Sequence, residues 1–190
     1  MALWQISFLF LPKALVAGID EVPSDIFERY ANNLSDVFPS FVLPPDYADC
    51  IERLLPPKIG WSDNMELWGD EISDDVTIWR EGGKVTSIGV RVDVRKLDDV
   101  LLSGLLALAD AWDCVLVERR YQKVCRMTLQ DFRTLICGHP HSRAIKDPKA
   151  WLPVLAEEIR KNENAPNKSQ KPTTVGIVFT AIRRWLGFPH

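Results

Sequence analysis

No stretch of this 190-residue chain approaches the roughly 18 consecutive apolar residues that a membrane-spanning helix requires, so no helical span is expected. The sequence also has no CxxC pair, phosphate loop, dinucleotide fingerprint, nucleophile elbow or HExxH helix. The chemistries that announce themselves by residue spacing therefore have no foothold here. Basic residues are scarce early in the chain. Positions 1–80 hold five Lys/Arg against fourteen Asp/Glu, whereas positions 81–190 hold eighteen against twelve. The apolar stretch from Ala2 to Leu11 lacks a preceding Lys or Arg, is interrupted by Pro12 and Lys13, and is followed by Asp20 and Glu21. A secretory signal wants a basic start and a small-residue cleavage site, so the segment reads as a strand. There are no internal repeats.

What is present describes an ordinary globular protein: 46% hydrophobic and 26% charged residues, with seven tryptophans. A chain of this length buries roughly 70% of its unfolded surface, and its core needs neither metal, disulfide nor cofactor. The cysteines Cys50, Cys114, Cys125 and Cys137 lie far apart. They read as free thiols of a reducing compartment, which predicts a cytoplasmic protein.

Hydrophobic periodicity predicts an α+β fold: a mostly antiparallel central sheet with helices packed on it and a helical C-terminal region. In the first strand Trp4, Ile6, Phe8 and Phe10 share one parity and Leu3 and Leu9 the other, the pattern of a strand covered on both faces. Pro23-Ser24 opens a short helix with Ser24 as its N-cap, carrying Phe27, Tyr30 and Leu34, and Asp46 caps a second that Pro56 and Pro57 stop. Met65 to Trp68, Val76 to Arg80 and Val85 to Arg95 read as three strands, with Gly82 and Gly83 turning the last hairpin. Leu97 to Trp112 is a helix with a broad apolar stripe, and Cys114 to Val117 returns as a strand. Thr128 and Asp131 resemble a capping box for a helix ending at Gly138, and Asp147-Pro148 starts another that runs to about Lys161. Residues 1–161 thus form one domain. Residues 162–173 form a polar linker, and 174–190 a terminal helix that docks on the body or on a partner.

Four clusters bear on function. Asp63, Glu66, Asp70, Glu71, Asp74 and Asp75 fall within thirteen residues that contain no base, with Trp68 among them and Trp61 just before. Such a strip suits a basic partner, with tryptophan as anchor, provided the acids stay unneutralised in the folded chain. The competing reading is a solvated loop over core tryptophans; a calcium site lacks the expected ligand spacing. Cys137, His139 and His141 place metal- and nucleophile-capable groups within five residues, yet a helix end followed by a surface turn explains them as well. Arg91, Asp93 and Arg95 share one strand face, where they could take an anion or pair across the sheet. Arg119, Arg120, Lys123 and Arg126 form a basic patch beside Tyr121, but without a nucleic-acid-binding motif nucleic acid is not the expected partner.

From Trp61 to Arg95 the pattern Trp-Ser-Asp, Leu-Trp-Gly-Asp-Glu, Asp-Asp-Val-Thr-Ile-Trp, the Gly-Gly turn and Val-Arg-Val-Asp-Val-Arg is similar to small bacterial α+β proteins of the immunity type. The resemblance implies a cytosolic inhibitor that presents acids to the basic cleft of a cognate toxin. The expectation is therefore a non-catalytic protein that binds a protein partner through Trp68, Asp70, Glu71, Asp74, Asp75 and Trp79. The alternative is a small metal- or cysteine-dependent hydrolase built on Cys137, His139 and His141.

Overall fold

The computed structural model describes residues 4–32, 34, 41–125 and 128–164. Six strands form one sheet: β1 (Gln5–Pro12), β2 (Pro57–Lys58), β3 (Met65–Gly69), β4 (Asp75–Glu81), β5 (Lys84–Asp93) and β6 (Cys114–Glu118). Their spatial order is β2-β3-β4-β5-β1-β6, and every neighbouring pair is antiparallel. The helices are α1 (Ser24–Asn32), α2 (Tyr47–Glu52), α3 (Asp99–Ala111), α4 (Leu129–Gly138), α5 (Pro140–Lys146) and α6 (Pro148–Asn164). The expected α+β architecture is what forms.

Because β5 and β6 each run antiparallel to β1, they are parallel to one another, and α3 makes the crossover between them. Asp98 caps α3 by accepting from the Val100 amide, and Leu101, Leu102, Leu105, Leu106, Leu108 and Ala109 are buried on its sheet-facing side. They meet Ile6, Phe8, Phe10, Ile78, Ile88 and Leu116, so one sheet face carries the main core. Phe132 of α4 packs edge-on to Phe8 there, with ring centroids 5.1 Å apart. A Cβ at Gly104 would meet the end of the Leu54 side chain, which would have to shift to admit it. Among the described residues the opposite face is only partly roofed. Phe27 and Ala31 of α1 cover Leu9, Leu11, Val115 and Val117, and this second cluster explains why β1 is buried on both sides.

Several local expectations are refined. Thr128 does cap α4, accepting from the Asp131 amide at 3.1 Å and donating to its carboxylate at 2.7 Å. Gly82 and Gly83 adopt φ values of 56° and 80°, the positive-φ turn expected between Glu81 and Lys84. Ser24 instead lies within the helix it was expected to cap, and its hydroxyl donates to Gln122. Asp46 precedes α2 without a side-chain capping bond. The segment expected to be a surface turn after Gly138 is a helix, α5, and His139 at its cap and His141 within it are both buried. Pro140 at the first helical position and His139 as its cap supply the reason. Helix α6 extends to Asn164, into the stretch read as a linker; the rest of that linker and residues 174–190 lie outside the described residues. Among the described residues no helix is long and apolar enough to cross a membrane.

Candidate functional site

The half of the sheet that α1 leaves open is built in cross-strand rows. Pairing places Gly69, Asp75, Arg91 and Ser7 side by side across four strands. Arg119 continues the row through its amide, which donates to the Ser7 carbonyl at 2.9 Å. The next row is Leu67, Thr77, Gly89, Leu9 and Val117, and beyond it Met65 pairs with Trp79. Gly89 leaves this floor low: a Cβ there would lie 2.9 Å from Thr77 Oγ1. Trp61 leans over Trp79 at a centroid distance of 5.2 Å and donates from Nε1 to Glu71 at 3.0 Å. The result is a groove of about 260 Å³ between the two tryptophans and the Arg91 and Arg119 side chains.

The loop joining β3 to β4 closes one end of this groove and is held from several directions. Gln5 Nε2 donates to the Glu71 carbonyl at 3.0 Å and to the Ser73 carbonyl at 2.5 Å. Trp4 Nε1 donates to the Ile72 carbonyl at 2.9 Å, and the Asp93 amide donates to the Asp74 carboxylate at 2.7 Å. Inside the loop the Ile72 amide donates to Asp70 Oδ1 at 3.1 Å, which holds the Asp70 carboxyl below its ordinary range. A loop fixed this way loses little entropy when it binds. Three large apolar side chains nonetheless stand out in solvent beside it: Ile59 at 95%, Trp61 at 70% and Ile72 at 67% exposure.

The expected site residues divide sharply. Trp68 is only 4% exposed and points to the core face, edge-on to Tyr47, so it cannot serve as an anchor. Asp75 is 0% exposed and forms an ion pair with Arg91 at 2.6 Å. Burial still pushes its carboxyl up to about 6, against the opposing pull of that guanidinium. Glu71 also reaches Arg91, at 3.7 Å, and Asp70 reaches Lys58 at 3.4 Å. Glu66 pairs with Arg80. Four of the six acids, Glu66, Asp70, Glu71 and Asp75, therefore pair with the chain's own Arg80, Lys58 and Arg91, contrary to the expectation that the strip stays bare. Asp74 is half-buried, and burial raises its carboxyl. Trp79 is half-buried and forms a groove wall, and Asp63 is exposed.

The remaining clusters are turned inward or apart. Arg91 pairs across the sheet, and Arg95 pairs with Asp93 two residues away at 2.6 Å. Arg119 lines the groove while Arg120 turns to His141, and Arg126 lies outside the described residues. The His141 amide donates to His139 Nδ1 at 3.2 Å, so the proton of that ring sits on Nε2, 3.6 Å from Glu118. The His141 ring lies 2.9 Å from the Gln5 carbonyl through Nδ1, and burial followed by the neighbouring His139 lowers its pKa to about 4. Glu118 accepts from the Arg120 and Tyr121 amides at 2.8 and 2.6 Å. The His141 ring is thus engaged by the chain itself and His139 accepts at Nδ1 while its Nε2 makes no hydrogen bond, and among the described residues no three His, Cys, Asp or Glu side chains converge to hold a metal.

Ile59, Ile72 and Gly89 escaped the sequence reading. The first two had a signal: large apolar residues in Pro/Gly- and Asp-rich loops, where no helix or strand would bury them. Gly89 had none, because only the pairing register shows what lies opposite. No protein-family model, curated protein or solved structure matches this chain.

Proposed function

We propose that this is a non-catalytic binding protein of the immunity type, which neutralises a toxic protein partner by seating it on the loops around residues 59–63 and 70–74. The observation that carries this reading is the exposure of Ile59, Trp61 and Ile72 beside a loop anchored by four side chain–backbone bonds. Scattered exposed apolar residues are commonplace, but three large ones on and beside one rigid loop supply the anchor of an interface. Asp63, Asp70, Glu71 and Asp74 rim them. Formal charge there exceeds the cations Lys58 and Arg91 that reach it, so a basic partner is favoured at encounter. The apolar contacts, rather than bare acids, carry the affinity.

The test uses the product of the adjacent reading frame as partner. The wild-type chain forms a complex with it and relieves its toxicity on co-expression. The double change Trp61→Ala and Ile72→Asp weakens the complex by about 30-fold or more, the effect of losing an interface hot spot. Val154→Asp, at an exposed position of α6, leaves it intact. Absence of a complex, or equal affinity of the double variant, overturns the reading.

A further inference from the structure

We propose that the groove on the open sheet face is a binding site for a small aromatic carboxylate, its ring against Trp61 and Trp79 and its carboxylate held by Arg119 beside Arg91. The inference goes beyond the partner reading and does not depend on it, because Arg119 lies outside the exposed loops and the ligand is tested on the free chain.

The argument begins with the two arginines. Arg91 lies in a row with Asp75 on one side and Ser7 on the other, and it is occupied by Asp75 at 2.6 Å and Glu71 at 3.7 Å. Arg119 extends the same row beyond Ser7 and lines the same groove. Among the described residues no carboxylate lies within ion-pair distance of it. The groove's acids are already spoken for: Asp75 is wholly buried, and Glu71 is taken up by Arg91 and by the Trp61 indole. The positive end of the groove therefore has one guanidinium with its donors to spend, and a carboxylate is the geometric match for that fork.

The opposite end dictates the other half of the ligand. Trp79 stands four residues along β4 from Asp75, about 13 Å at the rise of an extended strand. Side chains leaning in from both ends converge over the middle row, where Gly89 contributes no side chain at all. The link Trp61–Glu71–Arg91, at 3.0 and 3.7 Å, shows that the two ends meet across this gap. Indole rings on one side favour a flat apolar body. The volume of about 260 Å³ falls below the roughly 300–1,000 Å³ of sites for larger ligands, so a single ring is the appropriate size. A nucleotide or a folded peptide segment does not fit.

The full chain titrated with phenylacetate gives the test, followed by NMR at the Gly89 amide and the Trp61 and Trp79 indole N–H signals. Millimolar phenylacetate is expected to shift those signals together, whereas benzyl alcohol, without the charge, and acetate, without the ring, bind about tenfold more weakly. Arg119→Ala and Trp61→Ala each lower the affinity by about tenfold while the signals of the α3 and α4 core stay in place. The proposal is overturned if groove signals do not respond, if benzyl alcohol binds as well as phenylacetate, or if Arg119→Ala leaves the affinity unchanged. Should either variant not fold, the ligand comparison on the wild-type chain decides alone.

Discussion

The open sheet face and the histidine cluster both bury an ionisable side chain, and they do so with opposite electrostatics. On the open face Asp75 is enclosed with a single guanidinium for company, and its proton affinity is raised to about 6. In the histidine cluster His141 is enclosed beside His139 and Arg120, and its proton affinity is lowered to about 4. Burial penalises charge in both places. The difference lies in what the charge would meet. Asp75 stays ionised at neutral pH because Arg91 is there, whereas His141 stays neutral and spends its ring on the Gln5 carbonyl. The open face thus depends on a balance of charges, and the histidine cluster on fixed hydrogen bonds. Recognition is better served by the first arrangement, whose members remain within reach of solvent through Arg91.

The largest expected effect comes from breaking the balance directly. Arg91→Ala leaves the Asp75 carboxylate buried without its partner, and the loss of stability at pH 7 is expected to be about 3 kcal/mol in urea unfolding. At pH 5 the same variant recovers more than half of that loss, because the unpaired carboxyl takes a proton. A loss independent of pH would show that Arg91 acts by packing alone.

A smaller effect sharpens the comparison through pH. The carboxyl of Asp75 rises from 3.8 unfolded to about 6 folded, so its stabilising contribution is full below 3.8 and disappears as pH rises through about 6. The ring of His141 falls from 6.5 unfolded to about 4 folded, so its contribution is present above 6.5 and is lost as pH falls through about 4. The two slopes oppose one another across the same window. Relative to the wild-type chain, Asp75→Asn is expected to become more acid-sensitive between these limits, and His141→Gln less so. Each differs by on the order of 1–2 kcal/mol across the range. Denaturation midpoints of the three proteins at several pH values check the signs, and identical slopes would dissolve the contrast.

How far these two regions were legible in sequence follows from how local their causes are. The β4–β5 hairpin and helix α3 are local matters of glycine turns, alternation and an apolar stripe, and they were readable. Helix α5 was readable in principle, since a proline after a residue able to accept a backbone bond is a helix start, but Gly138 just before it favoured a helix end followed by a surface turn. The neutralisation of Asp70, Glu71 and Asp75 was not readable. Lys58 and Arg91 reach those acids only once β2 pairs with β3 and β5 with β4, and register is a property of the whole sheet. The same limit hid the difference between Trp61 and Trp68. Both sit in an acidic, aromatic stretch, yet one lies in a loop and the other on the core face of a strand.

That difference yields the smallest expected effect on stability and the clearest separation of folding from recognition. Trp61 is mostly solvated and touches the body through the Trp79 ring and the Glu71 carboxylate. Trp61→Ala should therefore cost about 0.5 kcal/mol, the lower end of the range for an aromatic pair, with an unchanged dependence on urea. A side chain that contributes so little to folding has no structural reason to stand in water. Should its removal cost more than about 2 kcal/mol, in the range of a buried hydrophobic truncation, Trp61 would be a lid over Met65 and the sheet, not an anchor for a partner.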